Sequence, residues 1–395
     1  MRQPRILLGV GGGVAAYKAV ELASRLRQSG HRVRAVLSPG AERFVTALGV
    51  ASVARGPAYT DGDWDRASGR VLHVDLARWA QGLVVAPATA DLMAAMAQGR
   101  ADSLLLATWL SFRGRKLLAP AMESAMWEAA PTQANLAALA AAGVAVLGPL
   151  SGHLASGQRG PGRMVEPAEL EDAVAGLVHP VDLAGVRALV TAGPTWEPLD
   201  PVRHLTNPSS GRMGVALAAA LRDRGARVTL ILGPSALADP PGVETLRVRT
   251  AREMMARFEA AFADARLVVG AAAVGDFRPA RCHGEKLDKA AVPVIELTLN
   301  PDLMAWAGEH RDGRVLVGFA ATTGDSAASA QAKLARKGLQ LVVGNDVAEP
   351  GSGFGSPTNR VLLAWEDGTV ERLPPDTKIR VAHRILDGLR DRGLV

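Results

Sequence analysis

The stretch Thr191 to Gly214, TAGPTWEPLDPVRHLTNPSSGRMG, constrains this chain more than any other. It follows a short apolar run, Val186 to Val190, and leads into an alanine-rich helical pattern from Arg212 to Arg224. An apolar run of that length, closed by Gly-Pro, reads as a buried strand of a parallel sheet ending near Thr191. What separates strand from helix is then a long loop, and a loop of more than about 12 residues with no structure of its own is usually functional or disordered. Asn207-Pro208-Ser209-Ser210-Gly211 stands directly before the helix, where backbone amides and hydroxyls can hold phosphate. Simple N-capping by Ser or Asn accounts for the same residues.

The N-terminal half opens in a related way. Arg5 to Val10 is an apolar strand, Gly11-Gly12-Gly13 a tight turn, Val14 to Gln28 an amphipathic helix and His31 to Leu37 a second strand. Against the dinucleotide fingerprint, Val14 stands where a third glycine belongs, and the second strand ends at Ser38 instead of an acid that would bind a ribose hydroxyl. The pattern predicts a mononucleotide phosphate site and argues against NAD. A third strand, Gly82 to Val85, runs into Ala86-Pro87-Ala88-Thr89, small residues that let a flat ring lie beyond the strand's carboxyl end. A fourth, Lys116 to Ala119, ends in Pro120-Ala121-Met122-Glu123; a fifth, Ala145 to Leu147, enters a glycine-rich segment to Met164 that reads as a mobile flap or a linker. His73, among apolar neighbours just ahead of a helix, reads from local context as a satisfied core or cap residue before it reads as a catalyst.

Strands alternating with helices through both halves predict an α/β fold of two three-layer α/β/α Rossmann-like domains, 1–180 and 181–395, with ligands at the strand carboxyl ends. A β-hairpin from Arg360 to Leu373, turning at Asp367-Gly368, and a helix from Asp376 close the second. At 395 residues and 48% hydrophobic content each half can bury its own core. No apolar run approaches the roughly 18 to 20 residues of a membrane span, and one cysteine, Cys282, fits a reducing cytoplasm. The net charge of +6 is carried mostly by arginines scattered among acids, with only 4% aromatics, so no nucleic-acid module emerges and phosphorylated small molecules explain the excess.

With these motifs in hand, the chain resembles the bacterial bifunctional phosphopantothenoylcysteine decarboxylase/phosphopantothenate-cysteine ligase family of coenzyme A synthesis. GGGVAAYK, APATADL, PAM..MW and GPGRM occur in the family's order, followed by the Thr191–Gly214 stretch, GAAAVGDFRP, EKLDK, NPDL, VGFA and NDV. The resemblance implies a flavoprotein-type decarboxylase domain and then a ligase domain. In the ligase it implies that CTP and magnesium convert 4'-phosphopantothenate to an acyl-cytidylate that cysteine attacks. Asn207 and Lys286 match the family's catalytic residues, Asp276 the acid near nucleotide and metal. Nucleotide contacts carry over to Ser209, Ser210, Gly211, Gly270, Ala271, Ala272, Pro301, Asp302, Leu303, Met304, Phe319, Lys333 and Lys337. In the decarboxylase the resemblance implies FMN held by Gly11, Gly12, Gly13, Ser38, Ala86, Pro87, Ala88 and Thr89, with His73 catalytic and Met122 and Glu123 at the substrate. It also implies trimers of the first domain and dimers of the second, a dodecamer overall.

Two residues depart from the family pattern in the first domain. Glu123 replaces an asparagine that can donate to the substrate carboxylate, whereas an ionised Glu only accepts and repels it. Ser156 replaces a proton-donating cysteine, and a hydroxyl is a far weaker acid than a thiol with a pKa of about 8.5. A non-catalytic flavoprotein scaffold carrying an active ligase is the rival reading these two changes leave. A flavoprotein acting on peptide C-terminal cysteines leaves the second half unexplained. In the ligase, Asp288 replaces a lysine and Thr322 a common glutamate, while Lys286 remains.

Overall fold

Ile6, Leu7, Leu8 and Val10 have no exposed surface, so the first strand, Arg5–Val10, is covered on both faces, as a central strand of a parallel sheet must be. The computed structural model describes residues 3–64, 66, 69–288, 294–322, 326–346, 355–356 and 358–395. It divides into two compact units, 1–179 and 180–395, one residue from the sequence boundary.

In the first unit the described residues form a six-stranded sheet in the order Ala58–Tyr59, Arg32–Leu37, Arg5–Val10, Gly82–Ala88, Arg115–Pro120, Ala145–Val146, parallel throughout. Strand order reverses between Arg5–Val10 and Gly82–Ala88. The helix Ala16–Gln28 packs on one face through Ala16, Ala19, Leu22, Ala23 and Leu26, the three- and four-residue spacing of an amphipathic stripe. Each buried leucine there contributes roughly 1.5–3 kcal/mol. On the other face Leu7, Leu83 and Val85 pack into a cluster with Met93, Leu105 and Trp109.

In the second unit the described residues form an eight-stranded sheet in the order Glu244–Arg247, Arg227–Leu232, Arg187–Ala192, Leu267–Gly270, Val315–Thr322, Leu341–Asp346, Leu362–Trp365, Val370–Arg372. The first six are parallel and the last two antiparallel, the latter being the hairpin expected around Asp367-Gly368. Order reverses between Arg187–Ala192 and Leu267–Gly270. Both halves are thus doubly wound α/β sheets.

Three local expectations change. The Thr191–Gly211 loop is not without structure: Glu197–Pro198 pairs antiparallel with His204–Leu205, and Trp196 stacks on His204 at 4.3 Å. The glycine-rich segment after Val146 is neither linker nor open loop but a hairpin, Leu150–His153 against Arg159–Arg163. His73 lies inside the first turn of the helix Leu72–Trp79 and not ahead of it.

Candidate functional site

Each sheet opens a cleft at its order reversal, where the strand ends on either side diverge. In the first unit the cleft has a volume of about 1020 Å³. Around it the backbone closes up tightly. A Cβ on Gly11 would lie 2.2 Å from the Pro87 carbonyl oxygen, and one on Gly12 would lie 2.5 Å from the Gly40 carbonyl carbon, so neither position admits a side chain. Gly12, Gly13, Ser38 and Thr89 line the cleft, together with the start of the helix Ala16–Gln28, which has no side-chain cap. Ser38 is buried, its Oγ accepting from the Ala41 amide at 3.3 Å, and Thr89 Oγ1 caps the next helix by accepting from the Leu92 amide at 3.3 Å. Gly11, Ala86, Pro87 and Ala88 do not line it. Ala86 and Ala88 are fully buried within the strand Gly82–Ala88, which runs further than the sequence predicts.

The flap hairpin packs on the segment after the strand Arg115–Pro120. The Met122 amide donates to the Gly162 carbonyl at 3.0 Å, and Ser124 Oγ donates to the Pro161 carbonyl at 2.7 Å. Met122 and Glu123 therefore face the cleft directly under the flap. Glu123 Oε1 is buried without a hydrogen-bond partner among the described residues. Two cations lining the same cleft are engaged elsewhere: Lys18 Nζ and Arg163 Nη2 both reach Glu166 Oε1, each at 3.0 Å. Ser156 sits exposed at the flap tip, its Oγ accepting from the Gln158 amide at 3.3 Å, and does not line the cleft; Leu154 and Ala155 do. His73 is also absent from it. Its ring meets Trp64 edge-on at 5.8 Å, and its Nδ1 is buried without a partner among the described residues.

The second cleft, of about 710 Å³, gathers nearly the whole sequence-predicted set: Asn207, Ser209, Ser210, Gly211, Gly270, Ala271, Ala272, Asp276, Pro301 through Met304, Phe319, Lys333 and Lys337. Asn207 Nδ2 donates to the Ala273 and Val274 carbonyls at 3.4 and 3.2 Å, which orients the amide in the cleft. The helix Arg212–Asp223 is capped by Gly211 in the left-handed conformation (φ 78°), with no side-chain cap, so the capping account of the serines fails and its first amides stay free to bind an anion. Ser209 Oγ accepts from the Gly211 amide at 3.4 Å instead.

Lys333 and Lys337 share one face of the helix Ser326–Lys337, and that face is the cleft wall, not a solvated surface. Lys333 Nζ donates to the Phe319 carbonyl, and Lys337 Nζ lies 2.6 Å from Asp302 Oδ2. Burial, and after it the charge of Lys337, brings Lys333 down to about 8. Burial also raises the cost of ionising Asp302, but the bonds from Lys337 and the Ala305 amide outweigh it and hold that carboxyl below its usual range.

Among the cleft residues that sequence reasoning missed are Arg212, Asn345, Asn359 and Lys378. Lys378, at the start of the helix Lys378–Asp391, is brought to about 8 by burial and then by the charge of Arg212. A lysine opening an amphipathic helix carries no local signal of this. Lys286 is exposed and lies outside the cleft; its neighbour Leu287 donates its amide to Asp200 Oδ2 at 3.2 Å.

Two switch-point clefts, each at a helix N-terminus without a side-chain cap, define a two-site α/β enzyme of small molecules. Residues 1–179 match the Flavoprotein family model, and residues 183–392 match the model of the DNA/pantothenate metabolism flavoprotein C-terminal domain. The chain is 42% identical over 395 residues to the coenzyme A biosynthesis bifunctional protein CoaBC of Escherichia coli K12, covering 98% of this chain and 97% of that one. It is 43% identical over 403 residues to the protein of the same name from Mycolicibacterium smegmatis, with coverage of 98% and 97%. Among solved structures it is similar to the C-terminal domain of a CoaBC protein, at 38% identity and a TM-score of 0.46 over 53% of this chain and 95% of that one. The chain belongs to the family of coenzyme A biosynthesis bifunctional proteins, enzymes joining a decarboxylase unit to a ligase unit.

Proposed function

We propose that the second unit activates the carboxylate of 4'-phosphopantothenate with CTP, giving an acyl-cytidylate that the amine of cysteine attacks, and that the first unit then decarboxylates the product to 4'-phosphopantetheine with FMN. The observation that carries this reading is the second cleft, where one cavity collects the helix N-terminus at Gly211, the oriented Asn207 amide and the cations Lys333 and Lys337. Triphosphate charge needs neutralising, and the acyl oxygen needs polarising while pyrophosphate and then CMP leave. Lys333 and Lys337 suit the first task. Asn207 suits the second, and Lys286, on the segment tied to Asp200, joins it when that segment covers the cleft. Arg212 and Lys378 add positive charge for the second phosphorylated reactant.

Mg²⁺ is usually held by one or two carboxylates plus substrate phosphates; Asp276 and Asp302 both line the cleft, and Asp302 is paired with Lys337, which leaves Asp276 for the ion.

The first cleft suits FMN because Gly12 and Gly13 line it beside the uncapped helix start, where a phosphate is favoured, and a Cβ on Gly13 would meet nothing nearer than 3.9 Å. When bound, FMN supplies the thiol oxidation and the final reduction. Gly12, Gly13, Ser38 and Thr89 hold it, and Met122 with Glu123 faces the substrate. His73, outside its own chain's cleft, serves the cleft of a neighbouring copy in a homo-oligomer of trimers and dimers. A cytoplasmic setting suits an enzyme that takes up cysteine and releases a product with a free thiol.

Mass analysis of products from protein incubated with 4'-phosphopantothenate, CTP, Mg²⁺ and cysteine tests the whole reading, with 4'-phosphopantetheine expected. Mixed oligomers of His73→Asn chains with chains unable to bind FMN (Gly12→Val) should regain decarboxylase turnover that neither homo-oligomer has; no regain overturns the placement of His73.

A further inference from the structure

Glu123 lines the first cleft, at the position that the resemblance assigns to the substrate carboxylate. Its Oε1 is buried and unbonded among the described residues. Two cations that line the same cleft, Lys18 and Arg163, are both paired with Glu166. Of the other charged groups lining the cleft, Arg100 is paired with Asp102, Asp61 accepts the Leu104 amide at 2.9 Å, Asp91 is a further acid in the first turn of the helix after Thr89, and His153 is exposed on the flap. Ser156, meanwhile, is at the exposed flap tip, outside the cleft and with no acidity to offer.

From this geometry we propose that Glu123 is the proton donor of the decarboxylase, standing in for the acid that Ser156 cannot be. The proposal rests on the decarboxylase reading above and deepens it. Two carboxylates forced together cannot both stay ionised and share one proton instead. The substrate carboxylate, brought against Glu123, imposes that condition, so Glu123 enters the complex as a neutral acid whose O–H donates to the substrate. Repulsion is removed by the same proton.

When carbon dioxide departs, the acid is left beside the carbon that lost it. The Glu123 O–H bond breaks and a C–H bond forms at that carbon. The electron pair of the enethiolate C=C moves to the new bond, and the sulfur pair closes to C=S. The thioaldehyde so formed is the species that the reaction's own reductant takes to the thiol, and Glu123 is reprotonated from solvent. The flap strand Arg159–Arg163, hydrogen-bonded over Met122 and Ser124, keeps water from quenching the carbon first.

The test uses the FMN-loaded full chain. With 4'-phosphopantothenoylcysteine as substrate, wild type should form 4'-phosphopantetheine, whereas Glu123→Gln should still release carbon dioxide but accumulate the enethiol, with 4'-phosphopantetheine formation down about 100-fold, the scale of a lost general acid. Glu123→Asp, which keeps the acid, should recover part of it. A binding readout is independent of turnover. Calorimetric titration with 4'-phosphopantothenoylserine, which has no oxidisable thiol, in buffers of different ionisation enthalpy should register proton uptake by wild type and none by Glu123→Gln. Unchanged product formation in Glu123→Gln, or binding without Glu123-dependent proton uptake, overturns the proposal while leaving the decarboxylase standing. Failure of wild type to release carbon dioxide overturns both.

Discussion

The Asp200 carboxylate, buried in the hairpin between Trp196 and Asn207, accepts the backbone amide of Leu287 at 3.2 Å and so ties the segment carrying Lys286 to the segment carrying Asn207. The same carboxylate accepts the amides of Val202 and Arg203 at 2.8 and 2.7 Å and the Arg203 Nε at 2.9 Å. Burial alone would push its pKa up, but these bonds prevail and bring it down to about 2. A depressed carboxyl contributes stability above its unfolded value of about 3.9, and loses it as pH falls through the folded value. Asp200→Asn should therefore unfold with less acid dependence between about pH 4 and 2. It should also slow ligation more than it weakens CTP binding, because it frees Lys286 without touching the cleft. Equal effects on kcat and on the KM for CTP would contradict this.

What could be read beforehand divides along a physical line. Strands such as Arg5–Val10 and Arg187–Ala192 announce themselves because a doubly covered strand must be apolar throughout. Most of the second cleft was legible because Asn207–Gly211, Gly270–Ala272 and Pro301–Met304 each stand at a strand end or helix start, where the fold puts ligands. Lys378 was not, since its partner Arg212 is brought near only by the tertiary fold. Nor was the separation of His73, Ser156 and Lys286 from the clefts of their own chain, which residue identity does not encode.

Lys333 yields a pH prediction. With its value at about 8, Nζ is charged at neutral pH and neutral at pH 9. CTP binding should weaken as pH rises through this range, by several-fold, in wild type and not in Lys333→Met. The same depression means that charging Lys333 costs the fold; the cost is full below about 8 and disappears above the unfolded value of about 10.4. Ligand-free Lys333→Met should thus melt no lower than wild type at pH 7, while its KM for CTP rises at least about tenfold, as for a lost charged hydrogen bond. Thermal melts and initial rates at both pH values check it.

The glycine turn of the first unit separates two kinds of glycine. Gly11→Ala drives a Cβ to 2.2 Å from the backbone oxygen of Pro87, which no rotamer relieves, whereas Gly13→Ala meets nothing nearer than Thr89 Cγ2 at 3.9 Å. Overpacking of this kind costs about 1–3 kcal/mol or more. Gly11→Ala should lower the melting temperature of the first unit and purify without flavin absorbance; Gly13→Ala should fold normally. Normal flavin content in Gly11→Ala would refute the close approach.

Arg224 is the largest side chain with no exposed surface among the described residues, its Nε 2.7 Å from Asp182 Oδ1 and its Nη1 2.9 Å from Asp387 Oδ1. Removing one partner of a buried pair usually costs about 3–5 kcal/mol, because the other charge is left without compensation. Here Asp182 keeps Arg390 at 3.0 Å and both acids reach solvent, so Arg224→Met should cost less, about 2–3 kcal/mol. Replacing Asp182 and Asp387 by asparagine in the same chain should return most of that loss, since no unpaired charge remains. Burial opposes ionisation of Asp182, but its bonds from Arg224 and Arg390 hold its pKa below the usual value, so its contribution is present above about pH 4 and fades with acid. Urea unfolding at pH 7 should therefore separate wild type from Arg224→Met by more than the same experiment at pH 3; an equal gap at both would mean that the guanidinium is held by packing and not by its acids.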